Sequence, residues 1–235
     1  SQEMTDRITT LSPNTQGYLV SDTQRNKVLR NTYGLLSLSL LPTVAGAWLG
    51  VATGIGNMMT GLIGMLVFLA IAFGFIYAIE KTKNSAAGVP VLLGFTFFMG
   101  IMLSALIGRT LGYSNGPQLV MTAFGGTAGV FLAMSALASS IKRDISGMGQ
   151  WLFMGVVVLL IGGLINMFFQ SSVMFLVMSI MSIGIFSAFM VYDLKRIIDG
   201  GETNYISATL AIYLDIYNVF QSLLAILGIA GGERE

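Results

Sequence analysis

Seven long apolar runs, separated by short polar segments, follow a polar stretch at the start of the chain. Each run is about as long as the ~20 residues that a helix needs to cross a bilayer. They lie at 28–51, 57–79, 88–108, 118–138, 150–169, 172–192 and 205–229. The pattern predicts an all-α polytopic membrane protein, a bundle of seven transmembrane helices whose environment is the lipid bilayer. The predicted organisation is a polar cytoplasmic segment at 1–27, a transmembrane domain at 28–230 and a short external tail at 231–235.

The basic residues between the runs predict the orientation. One face of the predicted bundle carries ten of them, which are Arg7, Arg25, Lys27, Arg30, Lys81, Lys83, Lys142, Arg143, Lys195 and Arg196. The other face carries Arg109 and Arg234. Because basic loops stay in the cytoplasm, the N-terminus should be cytoplasmic and the C-terminus outside.

Composition narrows the chemistry. The sequence is 54% hydrophobic and 10% charged, with a formal net charge of +1, which gives no indication of nucleic-acid binding. It contains no histidine and no cysteine, so most zinc sites, Ser-His and Cys-His catalysis and disulfides are excluded. Carboxylates, hydroxyls and amides must supply whatever chemistry the protein performs.

Two aspartates interrupt otherwise apolar helical stretches, because Asp193 directly follows the sixth apolar run and Asp215 lies inside the seventh. An ionised carboxylate at mid-membrane costs about 2.5–3.5 kcal/mol, so such residues usually face a partner, a cavity or an ion path. The helical period places small and polar residues on one stripe of the seventh helix, namely Ala208, Ala211, Asp215, Asn218 and Ser222. We therefore expect Asp215 to face the bundle interior. A purely structural aspartate, satisfied by neighbouring hydroxyls or amides, is the alternative.

The positions of the two aspartates along their helices leave open whether they touch. Helix 6 can run through Asp199 and stop at Gly200, after which Thr203 or Asn204 can cap helix 7. At 1.5 Å per residue, Asp193 then lies roughly 9 Å from the end of helix 6, whereas the seventh-helix aspartate lies roughly 18 Å into its helix.

Small residues recur at helix-contact spacing elsewhere in the chain and predict close packing between helices of one bundle. They are Gly46, Gly50 and Gly54; Gly100, Ser104, Gly108, Gly112 and Gly116; and Gly125 and Gly129.

The segment 191–224, VYDLKRIIDGGETNYISATLAIYLDIYNVFQSLL, resembles the signature of the Bax inhibitor-1 family. The segments KVLRNTY at 27–33 and GGETNYI at 200–206 are similar to a bacterial branch of that family. The resemblance implies a seven-helix protein of the bacterial inner membrane. Members of this branch associate with the membrane-anchored AAA+ protease FtsH and its partners HflK and HflC, and they restrain it as poorly degraded substrates. The polar N-terminal segment would suit such a role as a handle for the protease.

Other members of the family are pH-sensitive calcium leaks, and Asp193 and Asp215 match their paired-aspartate sensor. A basic latch at the end of helix 2 belongs to the same resemblance, and Lys81 is the candidate here, with Glu80 beside it. Two carboxylates cannot form a tight calcium cage, so only a weak metal site is expected, helped by Asn218 and Ser222. No cofactor is required in either interpretation.

An enzyme is not predicted. Intramembrane aspartyl proteases need Gly-x-Gly-Asp at the second acid, whereas Ile212 to Asp215 reads Ile-Tyr-Leu-Asp, and a serine protease would lack its histidine base. The residues leave protease modulation and ion leak both open as functions. They predict no particular oligomeric state.

Overall fold

A computed structural model of the chain describes residues 21–234, and within this range seven α-helices are present and strands are absent. The helices are α1 (Asp22–Thr53), α2 (Gly61–Thr82), α3 (Gly88–Leu111), α4 (Gly116–Ser140), α5 (Met148–Phe169), α6 (Ser172–Ile198) and α7 (Tyr205–Gly231), with a short 3-10 turn at Ile55–Met58. All seven are long and apolar enough to cross a membrane. The predicted fold class is confirmed.

Helix α7 lies at the centre of the bundle. It packs against α1, α3, α4 and α6 and also touches α2. Half of its most apolar stretch is buried, whereas α5 contains no buried residue and packs mainly against α6. Helix α7 is thus better shielded from lipid than α5 or α6. Its polar side chains find their partners inside the protein.

The closest helix pair is α1 with α3, and glycine makes the approach possible. A Cβ atom at Gly46 would overlap the carbonyl oxygen of Phe97, and one at Gly100 would overlap the carbonyl oxygen of Thr43. Backbone therefore meets backbone across this interface. The small residues predicted to mediate contacts within the chain do so here.

The equally spaced glycines of α4 behave differently. A Cβ at Gly125 or Gly129 would meet no other atom within 4 Å, and the same holds for Gly108 in α3. Spacing identifies a face of small residues, but only the arrangement of the helices decides whether a neighbour covers that face. The prediction of contact is wrong at these three positions.

Helix α1 begins before the apolar run that predicts it. Its N-cap is Ser21, whose side chain accepts a hydrogen bond from the backbone N–H of Gln24 at 3.2 Å. The helix ends at Gly54, which has a φ of 73°. At 1.5 Å per residue its 32 residues span about 48 Å, more than the ~30 Å hydrocarbon core, so the polar first turns extend beyond the lipid chains. Of the polar segment at 1–27 that is predicted to serve as a handle, residues 1–20 lie outside the described residues, and the part from Asp22 onward is already helical.

Candidate functional site

The α6–α7 hairpin has the ends that the sequence predicts. Asp199 is the C-cap of α6, and Gly200 follows with a φ of 81°, a left-handed conformation that glycine adopts without steric cost. Asn204 caps α7, because its side-chain oxygen accepts from the backbone N–H groups of Ile206 at 2.9 Å and Ser207 at 3.1 Å. The hairpin is thereby fixed at both ends of its loop.

Asp193 and Asp215 approach each other inside this hairpin, with their side chains close enough to interact. Asp215 is only 3% exposed, and Asp193 is half-buried. Asp215 Oδ2 is buried without a hydrogen-bond partner in the described part of the chain. An ionised carboxylate can only accept a hydrogen bond, so the two groups can bond to each other only when one of them carries a proton. A shared proton would thus give this buried oxygen a partner.

Side-chain direction explains how the two acids meet across their axial offset. Asp193 lies five residues before the end of α6, whereas Asp215 lies ten residues after the start of α7. In a helix, each Cα–Cβ bond tilts toward the N-terminus. In this antiparallel pair Asp193 therefore leans away from the loop and Asp215 leans toward it. Each side chain reaches toward the other, which shortens a separation of roughly 7–8 Å along the axes.

A second face of α7 carries two tyrosines that sequence analysis did not single out. The hydroxyl of Tyr213 lies 2.6 Å from the hydroxyl of Thr43 in α1, which in turn donates to the Ser39 carbonyl oxygen at 2.9 Å. The hydroxyl of Tyr217 donates to the carbonyl oxygen of Met99 in α3 at 3.0 Å. Tyrosines four residues apart in an apolar helix are the available signal, because a buried phenol needs a hydrogen-bond partner. Asp215 thus lies on a helix that is also hydrogen-bonded to α1 and α3.

Two predicted helpers, Asn218 and Ser222, follow Asp215 along α7. Asn218 is half-buried and donates to the carbonyl oxygen of Leu214 in its own helix at 2.8 Å, and Ser222 is buried. Their part in an ion path stays a prediction. Among the described residues, groups of three or more potential metal-ligating acids are absent, so the aspartate pair is the whole carboxylate complement of the site.

The proposed latch, Lys81, lies exposed at the end of α2. Its Nζ is 5.4 Å from the centroid of the Tyr77 ring, and its role as a latch stays a prediction. The neighbouring Glu80 is more closely engaged. It pairs with Lys83 at 3.0 Å and accepts a hydrogen bond from Ser207 of α7 at 3.1 Å. The acid beside the predicted latch therefore joins α2 to the beginning of α7.

Lys195 is a further charged residue that sequence analysis did not assign to the site. It is 4% exposed, and its Nζ lies 3.0 Å from Oδ2 of Asp199. The spacing of four residues is the sequence signal for such an ion pair. Burial makes the pair important, because removing Asp199 would leave a buried ammonium without its partner.

Comparison with known proteins agrees with this architecture. Residues 25–232 match the family model described as "Inhibitor of apoptosis-promoting Bax1". An "Uncharacterized membrane protein" of Vibrio cholerae is 40% identical over 206 residues, which cover 88% of this chain and 91% of that protein. The "Modulator of FtsH protease YccA" of Escherichia coli K12 is 38% identical over 205 residues, 87% of this chain and 91% of its own length. "Uncharacterized protein NMA0420" of Neisseria meningitidis is 36% identical over 220 residues, 92% and 96% of the two chains.

The fold and the paired aspartates define a multi-pass membrane protein built around a central helix, α7, that carries the buried Asp215. The seven apolar helices and the membrane proteins among its relatives indicate a multi-pass membrane protein, and one related Escherichia coli protein is named "Inner membrane protein YccA". The chain belongs to the Bax inhibitor-1 family. The name of the family and the name of the related FtsH modulator both describe regulatory proteins and not enzymes.

Proposed function

We propose that this chain restrains the membrane-anchored protease FtsH. The observation that carries the proposal is the similarity to the "Modulator of FtsH protease YccA". This chain is 38% identical to that relative over 91% of the relative's length. The same proposal includes contact with the HflK and HflC partners. This chain would bind FtsH as a substrate but would be extracted from the membrane slowly. While bound, it would block the entrance of the protease for other substrates.

The packing of α1 supports slow extraction. A protease that pulls on the polar segment 1–20 would load α1 first, since that helix begins at Asp22. This helix makes the backbone-to-backbone contact with α3 through Gly46 and Gly100, and it is bonded to α7 through Thr43. Extraction would have to break all of these contacts together, and a high unfolding barrier is the basis of kinetic stability.

Isolation from native membranes in mild detergent tests the proposal. FtsH should be recovered with the full chain, and a chain lacking 1–20 should be recovered with less of it and should live longer in cells that contain the protease. A matched control is the full chain with Asp22→Asn, which alters an exposed carboxylate next to the deleted segment and should behave like the parent. Absence of FtsH from every preparation would contradict the proposal, as would equal lifetimes of full and truncated chains with and without FtsH.

The contact between Asp193 and Asp215 favours a second function, a pH-sensitive calcium leak. With one proton between them, the carboxyl groups hold α6 and α7 together; with both ionised, repulsion favours a more separated and hydrated arrangement. Calcium could then take the place of the proton, since carboxylate oxygens are its preferred ligands. The two proposed functions are compatible in one protein.

Calcium flux into proteoliposomes between mildly acidic and neutral pH tests the leak. Asp215→Asn preserves the shape of the side chain and should flatten the pH profile. Asp22→Asn is the control, because the Asp22 side chain is 95% exposed and far from the pair along the chain. Asp199→Asn is unsuitable as a control, since it would also strand the buried Lys195. Lack of flux in the parent, or identical profiles for parent and Asp215→Asn, would rule out the leak.

A further inference from the structure

A cleft of about 310 Å³ opens at the end of the bundle where α6 terminates. Its walls come from the α4–α5 loop, the last turns of α6 and the α6–α7 loop, and the residues used below are Asp144, Tyr192, Lys195, Arg196 and Asp199. The volume falls at the lower end of the range for small-molecule sites. The cleft lies outside the aspartate pair, because Lys195 and Asp193 are two residues apart and therefore project from nearly opposite sides of α6.

The cleft presents a free acid. Asp144 accepts a hydrogen bond from the backbone N–H of Ser146 at 2.9 Å, and this bond, with the nearby charge of Lys195, holds the pKa of the carboxyl below its ordinary value. The carboxylate is therefore ionised at neutral pH. It takes part in no salt bridge among the described residues, whereas the other acid of the cleft, Asp199, is paired with Lys195.

The cleft also presents a cation with hydrogen-bond donors available. The guanidinium of Arg196 lies 5.9 Å from the centroid of the Tyr192 ring, and its nearest carboxylate, on Glu202, is 3.9 Å away. That separation exceeds hydrogen-bond length, so the N–H groups of Arg196 are left to bind another acceptor. The Arg196 side chain is 44% exposed. A ligand for this cleft should thus carry both a cation and an anion.

The cleft lies next to a lipid-facing helix, α5. Gly149, in the first turn of α5, packs directly against the ring of Tyr192, which lines the cleft. One turn further along the same face of α5, Phe153 is 65% exposed, Trp151 on another face is 72% exposed, and α5 as a whole has no buried residue. Tryptophan is typical of the boundary between headgroups and lipid chains. A ligand seated here would have its apolar part against α5.

We propose that this cleft binds the headgroup of phosphatidylethanolamine. Its primary ammonium would donate to Asp144, its phosphate would accept from Arg196, and its acyl chains would lie along α5 beside Phe153. An anionic headgroup without an ammonium would leave Asp144 facing a phosphate, and the quaternary ammonium of phosphatidylcholine has no N–H to donate. The arrangement of charges therefore favours this zwitterion over both other lipids.

Lipid binding to the purified, delipidated full chain tests the proposal, using native mass spectrometry with three lipids of identical acyl chains. Asp144 is exposed, so water screens its attraction for the ammonium. Phosphatidylethanolamine should therefore bind about two- to fivefold more tightly than phosphatidylcholine. Phosphatidylglycerol should bind more weakly than phosphatidylethanolamine.

Three variants locate the site. Asp144→Asn should erase the advantage of phosphatidylethanolamine over phosphatidylcholine without weakening the latter, and it should fold normally because its amide oxygen can still accept from Ser146. Arg196→Gln should weaken all three lipids. Glu233→Gln at the opposite end of the bundle is the control, because only backbone atoms of Glu233 bond to the α3–α4 loop. Equal binding of the two zwitterionic lipids, preference for phosphatidylglycerol, or an unchanged preference in Asp144→Asn would each overturn the proposal.

Discussion

Substitution of Gly100 by alanine tests whether the α1–α3 interface is the rigid part of this bundle. The added methyl group would be placed against the carbonyl oxygen of Thr43, with the backbone N–H of the residue at position 47 also within 3.0 Å. Backbone atoms cannot rotate away as a flexible side chain can. The helices would have to move apart, which would also disturb the hydrogen bond between Thr43 and Tyr213.

The expected cost follows from comparison with a matched glycine. Gly129, in α4, has open space where its Cβ would lie, so Gly129→Ala changes helix propensity without a steric clash. The propensity gain of up to ~1 kcal/mol applies equally to both substitutions. Overpacking costs about 1–3 kcal/mol. Gly100→Ala should therefore be less stable than Gly129→Ala by about 1–3 kcal/mol.

Thermal unfolding in one mild detergent, followed by circular dichroism, measures the difference. Gly129→Ala should match or exceed the parent, and Gly100→Ala should unfold at a lower temperature. In cells with FtsH, the Gly100→Ala chain should also be degraded faster, because a looser α1 is easier to extract. Equal unfolding temperatures for the two variants would refute the close backbone contact.

Two further predictions concern the tyrosine face and the orientation. Tyr213→Phe should destabilise the protein by about 0.6–1.5 kcal/mol, because it removes the hydrogen bond to Thr43, whereas Tyr77→Phe on the exposed face of α2 should change stability by less than about 0.5 kcal/mol in the same unfolding assay. A reporter fused after Glu235 should be active only outside the cytoplasm, as the basic residues predict; cytoplasmic activity would contradict the seven-helix orientation.

The seven helices and the two ends of the α6–α7 loop follow from local sequence. Apolar length predicts all seven spans, and a polar residue before the next apolar run predicts the Asn204 cap, because both depend on short stretches of chain. Burial of Asp215 is also predictable, since the period of its helix places it with small residues. In each of these cases the determining interactions lie within a few turns of a single helix.

Relations between helices were harder to predict. The contact between Asp193 and Asp215 depends on how far α7 is offset from α6 and on the opposite lean of two side chains, and no residue spacing encodes the offset. The same limit explains why Gly100 is tightly packed and Gly129 is not. The burial of Lys195 was likewise not predictable, because a charged residue between two apolar runs suggests an exposed loop. In the fold, Lys195 is buried and paired with Asp199.

The lifetime of a membrane substrate of FtsH tests the central claim most directly. The purified protease and a labelled substrate would be reconstituted together in vesicles, with increasing amounts of this chain in the same bilayer. The substrate should survive longer as the amount of this chain rises, while the chain itself is degraded slowly. A substrate lifetime that stays constant at every amount, with the folded chain present in the vesicles, would contradict it.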